Sequence, residues 1–290
     1  KLDEYHLMDC YYTLEDYTQA AHYARLARDS ADRPALSEDR PHAVLLQSLI
    51  LMGAPDAEIE AVYAQARTAF PEKAEFPLIY GTWAWETGYF ARAREAYSEG
   101  VRLHEMYYRA GDFSGLLAPA AYTRLGEAAE LTGDAEGAAA LYEHAVRQNP
   151  HHVPALVCLI RLLRAVGADD AALIEALNAL YGEEDAAFLA SVLAGQGCPL
   201  AALYYDQRST LKFPLRRRFL LAGDVCSAAA SLIEDLERSA ALAAAREAEF
   251  TPEQQGALAL LLPDACRELS AAPEAQRMIR RIGRLAEGAV

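Results

Sequence analysis

Seven histidines, five cysteines and 42 acidic residues could in principle build a metal centre, a redox pair or an acid–base site. Their spacing decides whether they do. The histidines form no HExxH pattern, which would set two imidazoles on one helix face around a zinc ion. His151 and His152 are adjacent after Pro150, so their side chains diverge. Cys10, Cys158, Cys198, Cys226 and Cys266 are far apart with no CxxC pair, which fits small buried thiols better than a redox or zinc site. Gly195-Gln196-Gly197 is only GxG and runs into Pro199, so it reads as a turn between helices and not as a phosphate cradle. The acidic pairs Asp169-Asp170 and Glu183-Glu184 stand at expected helix starts, where negative charge meets the positive end of the helix dipole. No nucleophile, base and orienting group form a recognisable set. The expectation is a chain without catalytic residues, cofactor or metal.

The formal charge is −15, from 27 basic and 42 acidic residues, and only Lys1, Lys73 and Lys212 among the basic residues are lysines. Nucleic-acid binding relies on many cationic contacts to phosphate, so this balance argues against it. Arg216-Arg217-Arg218 and the set Arg277, Arg280, Arg281 and Arg284 are the basic clusters. In an acidic chain they read as solvated faces or as contacts with acidic surface of the same protein. No apolar run approaches the roughly 20 residues that span a bilayer, and no secretory signal is visible. With its unpaired cysteines, the chain is expected in the cytoplasm.

The elements that position these residues are clearest from Pro119 to Asn149. Tyr122, Leu125, Gly126 and Ala129 offer a large residue, a gap and small residues on one helix face. Gly133 suits a helix end because it takes positive φ freely, and Asp134 can cap the helix that follows. Ala138, Tyr142 and Ala145 then fall at spacings of four and three on one stripe, and Pro150 closes the unit. Similar units start near 1, 40, 74, 153 and 182, with turns at Glu15-Asp16, Gly53 to Pro55, Gly88, Gly167 and Gly195 to Pro199. The predicted organisation is about six helix pairs over 1–208. A degenerate pair over 215–237 and Ala-rich capping helices broken at Pro252, Pro263 and Pro273 fill 209–290. The long gap between the third and fourth units predicts an inserted loop near 108–117. Tyr107, Tyr108, Asp112 and Phe113 there are either recognition residues or part of a tolerated insertion.

These spacings resemble the tetratricopeptide repeat. The resemblance implies an all-α fold, a right-handed superhelix of antiparallel helix pairs with the first helix of each pair on a concave groove. Carried onto this sequence, the groove positions are Tyr5, Asp9, Tyr12, Ser48, Thr82, Trp85, Glu86, Thr123, Glu127, Glu130, Arg161 and Arg164. They describe a surface that is aromatic and acidic, then basic, with Trp85 as the anchor-type residue. Asn149 and Asn178, the only asparagines, miss the groove, which argues against the chaperone-tail and peptide-pheromone clamps of this class. The order of parts from Gly81 through Ser114-Gly115-Leu116, Asn149-Pro150 and Val153-Pro154-Ala155-Leu156 to Ile160-Arg161-Leu162-Leu163 also resembles the C-terminal region of bacterial family 2 glycosyltransferases. That likeness implies a non-catalytic region that helps to position an acceptor for an upstream enzyme domain. A free-standing adaptor for a protein or peptide partner, and a self-association module forming a homodimer, are the alternatives.

Overall fold

The computed structural model describes residues 2–30, 38–213, 217, 218 and 221–223. All regular structure among them is helical, with twelve α-helices and one 3-10 turn. The chain divides into two compact units, Lys1–Ala165 and Val166–Val290. The sequence-based boundary at 208 lies within the second. The degenerate pair over 215–237, the C-terminal capping helices, Cys226, Cys266 and the arginines from Arg277 onward lie wholly or mostly outside the described residues.

The first unit contains α1 (Leu2–Thr13), α2 (Tyr17–Asp29), α3 (Arg40–Leu51), α4 (Asp56–Ala69), α5 (Glu75–Glu86), α6 (Phe90–Tyr107), α7 (Ser114–Leu131), α8 (Ala135–Gln148) and α9 (Val153–Ala165). Each helix packs on its successor, and each odd-numbered helix also touches the next odd-numbered one. The local signals behind this order are the expected ones. Gly133 has φ +82°, and Asp134 accepts from the Gly137 backbone N–H at 2.8 Å, so the turn ends α7 and caps α8 in two residues. In the first pair Glu15 stands where the other turns use Gly, and it takes φ +61° itself.

Helices approach closely at three glycines, one of them Gly100 of α6 against Leu78 of α5. Gly81 of α5 faces the ring of Tyr97 on α6, and Gly126 of α7 faces the ring of Tyr142 on α8. Both tyrosines are buried, and with them Ala138 and Ala145, which completes the expected stripe. Leu125 and Ala129 are only half-buried, so the closest approach is at Gly126 itself.

One helix start differs from expectation. Helix α7 begins at Ser114, five residues before Pro119, so Pro119 lies inside the helix and the loop shortens to 108–113. Pro119 is the sixth residue of α7, past its first turn, so the helix forgoes the hydrogen bond that an N–H there would give to the Gly115 carbonyl.

In the second unit, α10 (Asp170–Asn178), the 3-10 turn (Glu183–Asp185), α11 (Ala186–Gly195) and α12 (Pro199–Arg208) are described. Helix α12 packs on α11 and α10. Gly195 ends α11 and Gly197 has φ +69°, so the GxG stretch is the turn its sequence indicates. Asp169 caps α10 through the Ala172 N–H at 2.9 Å, while Asp170 accepts from the Ala201 N–H at 2.9 Å and ties α10 to α12.

Candidate functional site

The residues assigned to a groove lie on α1, α3, α5, α7 and α9, the odd-numbered helices that touch one another. Glu130 and Arg161 meet across such a contact, and most of the others are satisfied by further residues of the chain. Asp9 pairs with Arg40 of α3 at 3.0 Å, and the Arg40 guanidinium lies 6.0 Å from the Tyr12 ring centroid. Tyr5 is half-buried beside Asp9, and burial pushes its hydroxyl above the usual tyrosine range. Trp85 packs edge-on to Phe90 and under the Arg124 guanidinium, 5.0 Å from its ring centroid. Arg124 in turn pairs with Glu127 at 2.8 Å. Glu130 accepts both the Tyr142 hydroxyl and Arg161, each at 2.8 Å. Thr82 bonds the Leu78 carbonyl and receives the Tyr97 hydroxyl. Glu86 and Arg164 are exposed.

Two of these assignments need correction. Ser48 is fully buried and Thr123 nearly so, so neither offers a contact to a partner. Helix α3 is covered by α1, α2, α4 and α5, which leaves Ser48 no open face. The Thr123 hydroxyl turns back to the Pro119 carbonyl at 2.7 Å and also lies 3.2 Å from His152 Nε2. Of the charged positions expected in an aromatic and acidic, then basic groove, Asp9, Glu127, Glu130 and Arg161 are paired within the chain, and Glu86 and Arg164 are exposed.

A cleft of about 400 Å³ opens instead beside the inserted loop. One wall is the α4–α5 turn with Phe70, Glu72, Lys73 and Glu75. The other is the end of α6 and the loop, with His104, Tyr107, Tyr108, Arg109, Asp112 and Ser114. Three of the four loop residues singled out by sequence, Tyr107, Tyr108 and Asp112, line it, while Phe113 does not. The Asp112 carboxylate accepts the Arg109 backbone N–H at 2.8 Å and so folds the loop. Lys73 is held by Asp39 at 2.8 Å. Glu75 is buried at the start of α5, and that burial, with Asp39 and Asp112 near, pushes its carboxyl above the usual range.

The back of the cleft holds a polar chain that sequence spacing does not reveal. His104 on α6 lies 3.0 Å through Nδ1 from Ser114 Oγ on α7, and 3.2 Å through Nε2 from Gln148 Oε1 on α8. With Gln148 accepting, Nε2 carries the proton and Nδ1 accepts from Ser114. Burial holds this imidazole below the usual histidine value. Ser114 is 2 % exposed, so the chain ties three helices together behind the cleft.

A second hollow, about 430 Å³, lies beside the stacked Tyr63 and Tyr80 rings, whose centroids are 4.1 Å apart. Burial, with Glu99 near, pushes the Tyr63 hydroxyl up to about 12. Arg92 pairs with Glu60, and Arg67 with Glu99, while Glu95 also lines it.

Among the described residues, no group of three His, Cys, Asp or Glu side chains is arranged to hold a metal ion, and no helix is long and apolar enough to cross a membrane. Cys158 and Cys198 are buried as expected of small apolar residues, whereas Cys10 is exposed on α1. In the first basic cluster, Arg218 pairs with the buried Asp206 at 3.0 Å and Arg217 covers the Phe213 ring, which are contacts within the same chain. No protein-family model matches this sequence, and no curated protein matches it.

Proposed function

We propose that this chain is a non-catalytic helical-repeat scaffold, built as a tetratricopeptide-type superhelix, that engages a protein or peptide partner through the cleft beside the 108–113 loop. The observation that carries the reading is the meeting of Tyr107, Tyr108 and Asp112 with the α4–α5 turn around about 400 Å³ of open space. An inserted loop that merely fills a gap between repeats has no reason to leave two tyrosines more than 40 % exposed over a cleft. Glu86 and Trp85 form a secondary contact on the odd-helix face. The repeat order also favours a place beside a glycosyltransferase domain, where the scaffold positions the acceptor.

Site-specific photo-crosslinking tests the proposal. A benzophenone side chain at position 107 is expected to capture a partner in the native host, and the same group at the exposed Leu131 is not. Equal capture at both positions, or at neither, refutes it. Reading the gene upstream of Lys1 tests the glycosyltransferase context: an α/β domain with a DxD motif supports it, and its absence removes it.

A further inference from the structure

A neutral imidazole has one nitrogen that donates and one that accepts, and a glutamine amide offers its oxygen to a donor and its nitrogen to an acceptor. Behind the cleft these groups join into a line with a single direction. Ser114 donates to His104 Nδ1 at 3.0 Å, His104 Nε2 donates to Gln148 Oε1 at 3.2 Å, and Gln148 Nε2 donates to His144 Nε2 at 3.1 Å. The 108–113 loop is fastened to the head of that line. Ser114 follows the loop directly, and the ring centroid of Tyr108, its first residue, lies 4.4 Å from that of His104. Gly115 makes room for the tyrosine, since a Cβ there would stand 3.0 Å from Tyr108 Cε2 and Oη. Asp112 closes the loop on itself through the Arg109 N–H, so His104 is the side chain at which the two ends of the loop meet.

We infer that the loop is a proton-operated latch: a proton taken up by His104 releases the two ends of the loop and widens the cleft. An imidazolium has no acceptor, so Ser114 loses the group it donates to and must re-house its own proton at a site that is 2 % exposed. The charge arrives on a side chain 4 % exposed, whose bonded partners are a hydroxyl and an amide. Burial is the largest influence on this imidazole and keeps it neutral. The Gln148 bond, Glu105 on α6 and Asp112 in the loop favour the proton, and a charged His144 on α8 opposes it. Glu72, Lys73 and Glu75 across the cleft, and Arg109 in the loop, line the same space. Tyr108 and Ser114 are the neighbours that can move without unpacking the body of a helix, so the charged ring gains water at the expense of the loop.

Hydrogen exchange of the 290-residue chain tests the latch, read by mass spectrometry over residues 104–116 as protection factors at pH 7.5 and 5.5. The backbone N–H groups of Tyr108, Asp112, Gly115 and Leu116 are hydrogen-bonded there and report its opening. One proton bound in the open form, at the ordinary histidine value of 6.5, lowers their protection by at most about tenfold over that interval, and a fall of about threefold to tenfold is expected. His104→Gln is expected to hold protection level at both pH values, because glutamine accepts from Ser114 and donates to Gln148 without taking a charge. His144→Gln and His152→Gln are expected to leave the fall within about twofold of the native one. In the native chain, loop protection should titrate together with the His104 ring signals in nuclear magnetic resonance of isotope-labelled histidine.

Protection that stays level between the two pH values overturns the inference. So does a fall that survives His104→Gln, or one that vanishes in His144→Gln, since either moves the proton to another group. Should circular dichroism show His104→Gln unfolded, the native titration decides: coincident midpoints for the loop and the His104 ring support the latch, and separate midpoints refute it. The latch needs no partner, so its failure leaves the scaffold reading standing, and silence of the crosslink at position 107 leaves the latch standing.

Discussion

Replacing Gly126 by alanine sets two effects of opposite sign against each other. In an exposed helix the change stabilises by about 1 kcal/mol, because alanine is the better helix former. At this site a Cβ would stand 2.5 Å from Tyr142 Cε1, 2.8 Å from Cδ1 and 2.9 Å from Cζ. Carbon atoms in contact prefer roughly 3.5 to 4.0 Å, so the ring must retreat by about 1 Å. It has little room to do so. Tyr142 is fully buried and its hydroxyl is anchored on Glu130, which Arg161 also grips. Overpacking of this kind costs about 1 to 3 kcal/mol, which outweighs the propensity gain. The expected outcome is a net loss of about 1 to 2 kcal/mol, read from urea unfolding of the full chain with m unchanged. A double-mutant cycle with Tyr142→Leu isolates the cause. With the ring gone, Gly126→Ala should become neutral or stabilising. If Gly126→Ala stabilises the native chain, or costs the same in both backgrounds, the packing argument is wrong.

Further outcomes follow from other sites. Glu15→Gly should stabilise by about 0.5 to 1 kcal/mol in thermal unfolding, since Glu15 holds a left-handed conformation that glycine adopts freely. Ser114→Ala leaves the buried Nδ1 of His104 without its donor and should cost about 1 to 3 kcal/mol by the same urea assay. Burial, the largest cause in each case, holds His104 and His152 below the ordinary histidine value of 6.5. The unfolded chain therefore takes up protons first as pH falls through that value, and their contribution to stability fades toward the lower folded values. Glu75, raised above 4.5 by burial, works in the opposite sense, adding stability as pH falls through its folded value toward 4.5. Urea midpoints should thus be lower near pH 5.5 than near pH 7.5, and His104→Gln should flatten that slope. Arg218→Ala removes the cation beside the buried Asp206 carboxylate, which keeps only the Phe213 N–H on its other oxygen, and should cost about 2 kcal/mol in limited-proteolysis stability, less than a wholly buried pair because Arg218 keeps 36 % side-chain exposure.

What the sequence made legible was local. Gly133-Asp134 reads correctly as a stop and a start because φ preference and capping act within four residues. Ala138, Tyr142 and Ala145 read correctly as a buried stripe because helical period alone puts them on one face. The start of α7 was misread for an equally local reason. Gly111-Asp112-Phe113-Ser114-Gly115 has the composition of a breaker and Pro119 that of a helix start, yet packing against α6 and α8 carries the helix back to Ser114. The pairings that define the candidate site are long-range. Glu130 and Arg161 are 31 residues apart, and His104 and Gln148 are 44 apart. Periodicity could put Glu130 and Arg161 on facing helices but could not say that they would meet. The buried positions of Ser48 and Thr123 were hidden likewise, since small polar residues suit a groove and a helix interface alike.

The matched pairs on the odd-helix face would make any recognition there a substitution reaction. A charged group arriving at Glu130 or Glu127 must displace Arg161 or Arg124, so one ion pair opens as another closes and the number of ions released to solvent hardly changes. Affinity at that face should therefore respond weakly to added salt, and its charges would sort partners by geometry more than hold them.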